Sequence, residues 1–170
     1  MASIYSWFSR LYGGDLYLWL AGCDPFGSRI GTDYLTLIGI VVIAITTLVC
    51  LVWYFLPVAR FNKCRDWAIM LFSTSAICLF VGCGWVYNLW SQMPQWVLYG
   101  VANVTGDGVN VPYVPNPGAV LTVTPLSFWQ FGFVNMIISL VVFFVLSVVV
   151  APMNKQRRGV PFNVVRLFKR

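Results

Sequence analysis

Histidine and glutamate are absent from this chain of 170 residues, and charged side chains make up only 9% of it. The five acidic residues are all aspartates, and they are scattered along the sequence. General acid–base catalysis most often uses His, Glu or Asp placed close together. No glycine-rich phosphate loop or nucleophile motif is present either. We therefore expect no enzymatic activity.

The cysteines also lack the spacing of a metal site or a redox motif. No two of them form a C-x-x-C pair, and three lie inside long apolar runs, where small soft side chains pack well. We expect no metal and no cofactor. The five are Cys23, Cys50, Cys64, Cys78 and Cys83.

Three long runs without a charged residue dominate what the sequence does contain. They cover residues 34–58, 67–90 and 128–153 and are 25, 24 and 26 residues long. About 20 apolar residues are enough for a helix to cross a bilayer core. We predict an all-α polytopic membrane protein with three transmembrane helices, joined by a turn at 59–66 and a loop at 91–127 and followed by a tail at 154–170.

Lysine and arginine are concentrated directly after the first and third runs. Basic residues mark the cytoplasmic side of membrane proteins, and the two crossings between the clusters return the chain to the same side. We therefore expect the turn and the C-terminal tail to be cytoplasmic, and residues 91–127, which lack Lys and Arg, to be extracytoplasmic. The clustered basic residues are Arg60, Lys63, Arg65, Lys155, Arg157, Arg158, Arg166, Lys169 and Arg170.

Residues 1–33 allow two interpretations. Ile4, Trp7, Phe8 and Leu11 follow the i, i+3, i+4, i+7 spacing of one apolar helical face, which favours an interfacial or re-entrant amphipathic segment. The alternative is a fourth span over residues 4–23. That span would carry Asp15 near mid-bilayer, at a cost of about 2.5 to 3.5 kcal/mol on insertion scales, so the three-span interpretation is preferred.

The loop at 91–127 contains apolar stretches at 96–102, 109–114 and 119–124, separated by Gly, Asn and Pro. Short apolar stretches between such residues are typical of strands. We predict a small β-like cap on the extracytoplasmic side.

Two of the runs carry small or polar residues at helical spacing. In the second run Thr74, Cys78 and Gly82 predict a groove for close helix packing. In the third run a stripe of five residues includes polar side chains that lipid cannot satisfy. Three interpretations stay open: a helix contact within one subunit, a contact between subunits without a pore, or the lining of an oligomeric pore in which the last two residues form a hydrophobic constriction. The stripe consists of Gly132, Asn135, Ser139, Val142 and Leu146.

These patterns lead to two functional hypotheses. The first is a homo-oligomeric pore or channel-type membrane effector, based on the polar stripe and on the basic tails, which would converge in a symmetric oligomer. The large apolar surface of so short a chain predicts the self-association. The second is a membrane anchor or scaffold subunit that recruits a soluble cytoplasmic partner to a larger machine. Both use the basic clusters, as contacts for the lipid bilayer, for a soluble partner or for an anionic regulator. The size and layout are similar to small bacterial membrane effectors and anchors, so we expect a bacterial inner membrane.

Overall fold

Every regular element that the structure describes is a helix. The computed structural model describes residues 2–23, 32–55, 64–92 and 124–150, and no strand occurs among them. The helices are α1 (Ala2–Tyr12), α2 (Gly14–Leu20), α3 (Tyr34–Phe55), α4 (Cys64–Ser91) and α5 (Pro125–Val150). Only α3, α4 and α5 among these are long and apolar enough to cross a membrane. Over the described residues, the prediction of an all-α membrane protein with three candidate spans is confirmed.

Some of the predicted features fall outside the described residues. These are the strands expected in the loop, up to residue 123, the turn residues Arg60 and Lys63, and the whole basic tail from residue 154. They stay predictions.

The described helix ends follow ordinary capping chemistry. Asp33 caps α3: its carboxylate accepts hydrogen bonds from the backbone N–H of Thr36, at 2.9 Å, and from the Thr36 hydroxyl, at 2.7 Å. Helix α5 begins at Pro125, three residues before the predicted run, because proline is well suited to a first helical position. Helix α4 likewise begins early, at Cys64, with Asp66 in its first turn, where a negative charge is favourable.

The described part of the N-terminal segment forms two short helices and not one continuous helix. Gly13 separates the two helices. Its φ is 95°, a conformation that glycine adopts without steric cost. Helices α1 and α2 have 11 and 7 residues, each well below the length of a span. After α2, Gly22 has a φ of 69° and its N–H bonds to the Trp19 carbonyl, which ends the helix.

Contacts divide the chain into two units. The first contains Met1–Ile38 and Cys83–Phe131. In it, α1 packs on the first two turns of α5 through aromatic rings. The Tyr5 ring is stacked on Phe131 with a centroid distance of 5.5 Å, and Tyr12 meets the same ring edge-on at 5.3 Å. Gly13 lies beside Ser127, one turn nearer the start of α5.

The Tyr12 phenol is fully buried in this unit and donates a hydrogen bond of 3.0 Å to the Tyr5 carbonyl. Burial, and to a smaller extent the neighbouring Tyr17 and Tyr5, raises the pKa of Tyr12 well above its ordinary value. The hydroxyl therefore remains a donor throughout the physiological range, and it links the two ends of α1.

The second unit contains Gly39–Gly82 and Gly132–Arg170. Thr46 and Cys50 of α3 lie next to Ser139 and Ser147 of α5, in the same order along both helices. Within this unit α3 and α5 therefore run in the same direction. Helix α4 runs the opposite way, because Trp67 at its start reaches Ser147, near the end of α5. Alternating directions are what three consecutive crossings require.

An aromatic-rich core lies at one end of the second unit. It joins the last turns of α3 and α5 to the first turns of α4, with the Trp67 and Phe143 rings meeting edge-on at 6.4 Å between centroids. The end of α3, the start of α4 and the end of α5 thus lie together. The buried members are Cys50, Trp53, Tyr54, Trp67, Leu71, Phe143 and Val150.

Candidate functional site

The polar stripe predicted on α5 lies inside the second unit. Asn135 and Ser139 have no exposed surface, and Gly132 is buried beside them. Val142 and Leu146 are half-buried, and Leu146 packs against the aromatic core. The stripe therefore faces other helices of the same chain in the described structure.

The groove predicted on α4 receives part of this stripe. Asn135 of α5 sits over Gly82, and a Cβ atom at position 82 would overlap the Asn135 amide nitrogen and lie 3.0 Å from its Cγ. Gly82 is thus the residue that lets α5 bring a polar side chain against α4. Thr74 and Cys78, the other groove residues, are also buried.

One turn further along, three helices share a small polar cluster. The Thr46 hydroxyl donates to the Val42 carbonyl at 2.7 Å, so it uses its only proton there. Ser139 must then donate the 2.9 Å hydrogen bond that joins its hydroxyl to Thr46. The Cys78 thiol completes the cluster, 3.6 Å from the Thr46 oxygen.

A second polar contact lies nearer the aromatic core. The Trp67 indole N–H donates a 3.1 Å hydrogen bond to the Ser147 hydroxyl. The Cys50 sulfur lies 4.0 Å from that same oxygen. This contact ties α4 to α5, and the three residues in it belong to three different helices.

Sequence reasoning identified Asn135, Ser139, Cys78 and Gly82 and did not identify the residues that complete these contacts. Thr46, Ser147 and Trp67 are polar or amphipathic residues within apolar runs, and they form no stripe with other polar residues of their helices. A signal was available, because a hydroxyl in a lipid-spanning helix calls for a hydrogen-bond acceptor on its own or a neighbouring helix. Only the relative register of the helices reveals which acceptor that is.

The outer faces of the long helices show the opposite character. They expose large apolar side chains, as helices in contact with lipid tails do. Inside the second unit the Thr74 and Ser75 hydroxyls donate hydrogen bonds back to their own helix, to the carbonyls of Met70 and Leu71. The exposed residues include Leu48, Phe55, Phe72, Phe80, Phe133 and Val149.

Of the nine clustered basic residues only Arg65 lies in the described part of the chain. Its side chain is 79% exposed, and its Nε lies 3.8 Å from the carboxylate of the neighbouring Asp66. Asp66 is buried, whereas the Arg65 guanidinium is mostly exposed and accessible for other contacts. The described residues bring together no group of three Cys or Asp side chains placed to hold a metal ion.

The Thr46–Ser139 hydrogen bond predicts coupled effects of substitution. Thr46→Val and Ser139→Ala should each lower the free energy of unfolding by about 0.6 kcal/mol, the average for polar contacts between membrane helices. The double variant should lose little more than either single one, since both remove the same bond. Unfolding in mixed micelles measures this, with Thr47→Val, on the same helix, as control. Strictly additive losses would contradict the shared bond.

Comparison with known proteins finds no significant similarity: no protein-family model, curated protein or solved structure matches this chain.

Proposed function

We propose that this chain is a membrane anchor or scaffold subunit, which holds a soluble partner against a basic surface at the membrane. The observation that carries the proposal is the meeting of three helix ends in the second unit. Trp53 and Tyr54 near the end of α3, Trp67 at the start of α4 and Val150 at the end of α5 belong to one core cluster. The turn and the tail, with nine of the eleven basic residues, are therefore attached at the same end of that unit.

This shared end has an electrostatic consequence. When basic groups emerge from the membrane close together, their electrostatic potentials add. They then attract an acidic protein surface or an anionic ligand more strongly than separated groups do. Basic segments of this kind also bind anionic lipid, with about 1 kcal/mol per residue. We place the end on the cytoplasmic side because of the excess of Lys and Arg there. Residues 91–127 then belong to the other side.

The polar contacts inside the second unit favour an anchor over a pore. A pore along α5 requires Asn135 and Ser139 to face water. In the structure Ser139 bonds to Thr46 and Asn135 is packed over Gly82. Opening a pore would have to break the hydroxyl pair and expose the Gly82 surface, and no described contact compensates for that loss. An anchor needs no such rearrangement.

Removing the positive charge of the tail tests the proposal. A variant in which the six basic residues from Lys155 to Arg170 are replaced by Gln keeps the length of the tail. It should remain in the membrane, because the three spans are intact, and it should lose the cytoplasmic protein that co-purifies with the unmodified chain. Quantitative mass spectrometry of the purified complexes measures the loss. Arg29→Gln, which changes a basic residue outside the two clusters, is the control.

Two results would count against an anchor. One is recovery of the same partner in equal amount with the neutral tail. The other is a current through planar bilayers that contain only the purified chain, provided that the Asn135→Leu substitution abolishes this current. Such a result would support the pore hypothesis. Self-association and a bacterial inner membrane stay predictions, and a native mass in detergent measures the first.

A further inference from the structure

Helix α1 has three chemically distinct faces. Tyr5 and Tyr12 point into the first unit and are buried against Phe131. The apolar residues beside them point away: Ile4 is 38% exposed, Leu11 is 56% exposed and Trp7 is 81% exposed. The rest of the circumference is polar, with Ser6, Ser9 and Arg10. Of the predicted apolar stripe, only Phe8 is half-buried.

These three faces match three different surroundings. With 3.6 residues per turn, Trp7 lies between Leu11 on one side and Arg10 on the other around the helix. One side of α1 thus contacts protein, the next is apolar and uncovered, and the third is polar. A helix on the surface of a bilayer meets this combination, since its apolar side enters the upper acyl chains and its polar side stays in the headgroups or in water.

The position of α1 also favours contact with lipid. Its tyrosines contact Phe131 and the adjoining Gly13 lies beside Ser127, so α1 is packed on the first two turns of a candidate membrane span. This is the level at which a transmembrane helix enters the bilayer. Tryptophan is enriched at that depth, because its ring is largely apolar and its N–H is polar.

We propose that the exposed face of α1 is a lipid-binding surface, in which Ile4, Trp7 and Leu11 lie among the upper acyl chains and Arg10 is directed to lipid phosphates. Helix α1 then contacts the membrane in addition to the three spans, at the boundary between acyl chains and headgroups. It holds the N-terminal segment against α5 from the lipid side, whereas the tyrosines hold it from the protein side. The inference does not depend on the choice between an anchor and a pore.

The depth of Trp7 tests this inference in the full-length chain. The protein is labelled with 5-fluorotryptophan and placed in lipid nanodiscs, and the Trp7 resonance is assigned by its absence in Trp7→Phe. A nitroxide on the upper part of the lipid acyl chain should broaden this resonance several-fold more than a water-soluble gadolinium chelate does. Leu11→Ser should shift the balance toward the chelate, and Ser9→Ala, on the polar face, should leave it unchanged.

Two outcomes would overturn the proposal. If the gadolinium chelate broadens Trp7 more strongly than the lipid nitroxide, then the face of α1 is open to water. If neither agent broadens it, a protein surface covers the face, from a second copy or from another partner. The Trp7→Phe variant itself is expected to fold normally, because the ring it changes is 81% exposed.

Discussion

Replacing Gly82 with leucine should lower the free energy of unfolding by about 3 kcal/mol, the upper end of the usual cost of overpacking an interior. Even a single Cβ atom at this position overlaps the Asn135 amide and approaches its Cγ to 3.0 Å. The whole Asn135 side chain must then move, and α4 and α5 must separate. Unfolding in mixed micelles, followed by far-UV circular dichroism, measures the loss.

The chain offers a matched control for this substitution. Gly84 lies two residues further along α4 and is exposed, and a Cβ atom at this position would meet no described neighbour within 4 Å. Gly84→Leu should be neutral or slightly stabilising, because leucine is the better helix former by about 0.8 kcal/mol. Asn135→Ala should recover part of the loss in the Gly82→Leu background. Equal effects at positions 82 and 84 would contradict the packing of Asn135 over Gly82.

Phe143→Ala should cost about 3 kcal/mol of unfolding free energy, the lower end of the range for truncating a buried phenylalanine. Phe143 has no exposed surface, and it packs edge-on against Trp67 in the core that joins the ends of α3, α4 and α5. In a membrane the loss comes from missing van der Waals contacts, since lipid is as apolar as the core. The same unfolding measurement tests this substitution.

Phe133→Ala is the control for Phe143, because it removes the same atoms from the same helix at a side chain that is 51% exposed. Lipid chains fill the space that the ring leaves, so the effect should be small. A loss at position 133 as large as the loss at 143 would mean that α5 is turned differently in the bilayer. It would also remove the evidence that the end of α3, the start of α4 and the end of α5 lie together.

The spans and their caps were predictable from the sequence because they depend on local properties. An uncharged run of about 20 residues is long enough to cross a bilayer wherever it occurs, and Asp33 caps α3 through residues three positions away. The polar stripe and the small-residue groove were also visible, since each lies on one helix. What remained open was their relation to each other.

The contacts between helices were not predictable because they depend on register. Nothing in the apolar run around Thr46 indicates that it will meet Ser139, 93 residues later. The faces of α1 show a related limit: the apolar spacing identified Trp7 and Leu11 correctly as one stripe, yet Tyr5 and Tyr12 are the residues that pack inward. A phenol counts as polar in a periodicity pattern, although its ring packs like that of phenylalanine once the hydroxyl is bonded.

The central claim is that the polar residues of α5 are enclosed by the chain's own helices. The most direct test is the reactivity of Ser139→Cys toward a membrane-impermeant maleimide in proteoliposomes, counted by mass above the labelling of the native cysteines. Ser91→Cys, at the exposed end of α4, is the positive control. We predict rapid labelling at position 91 and no added label at position 139. Labelling of position 139 at a rate close to that of position 91 would show that water reaches the stripe, and would contradict the account.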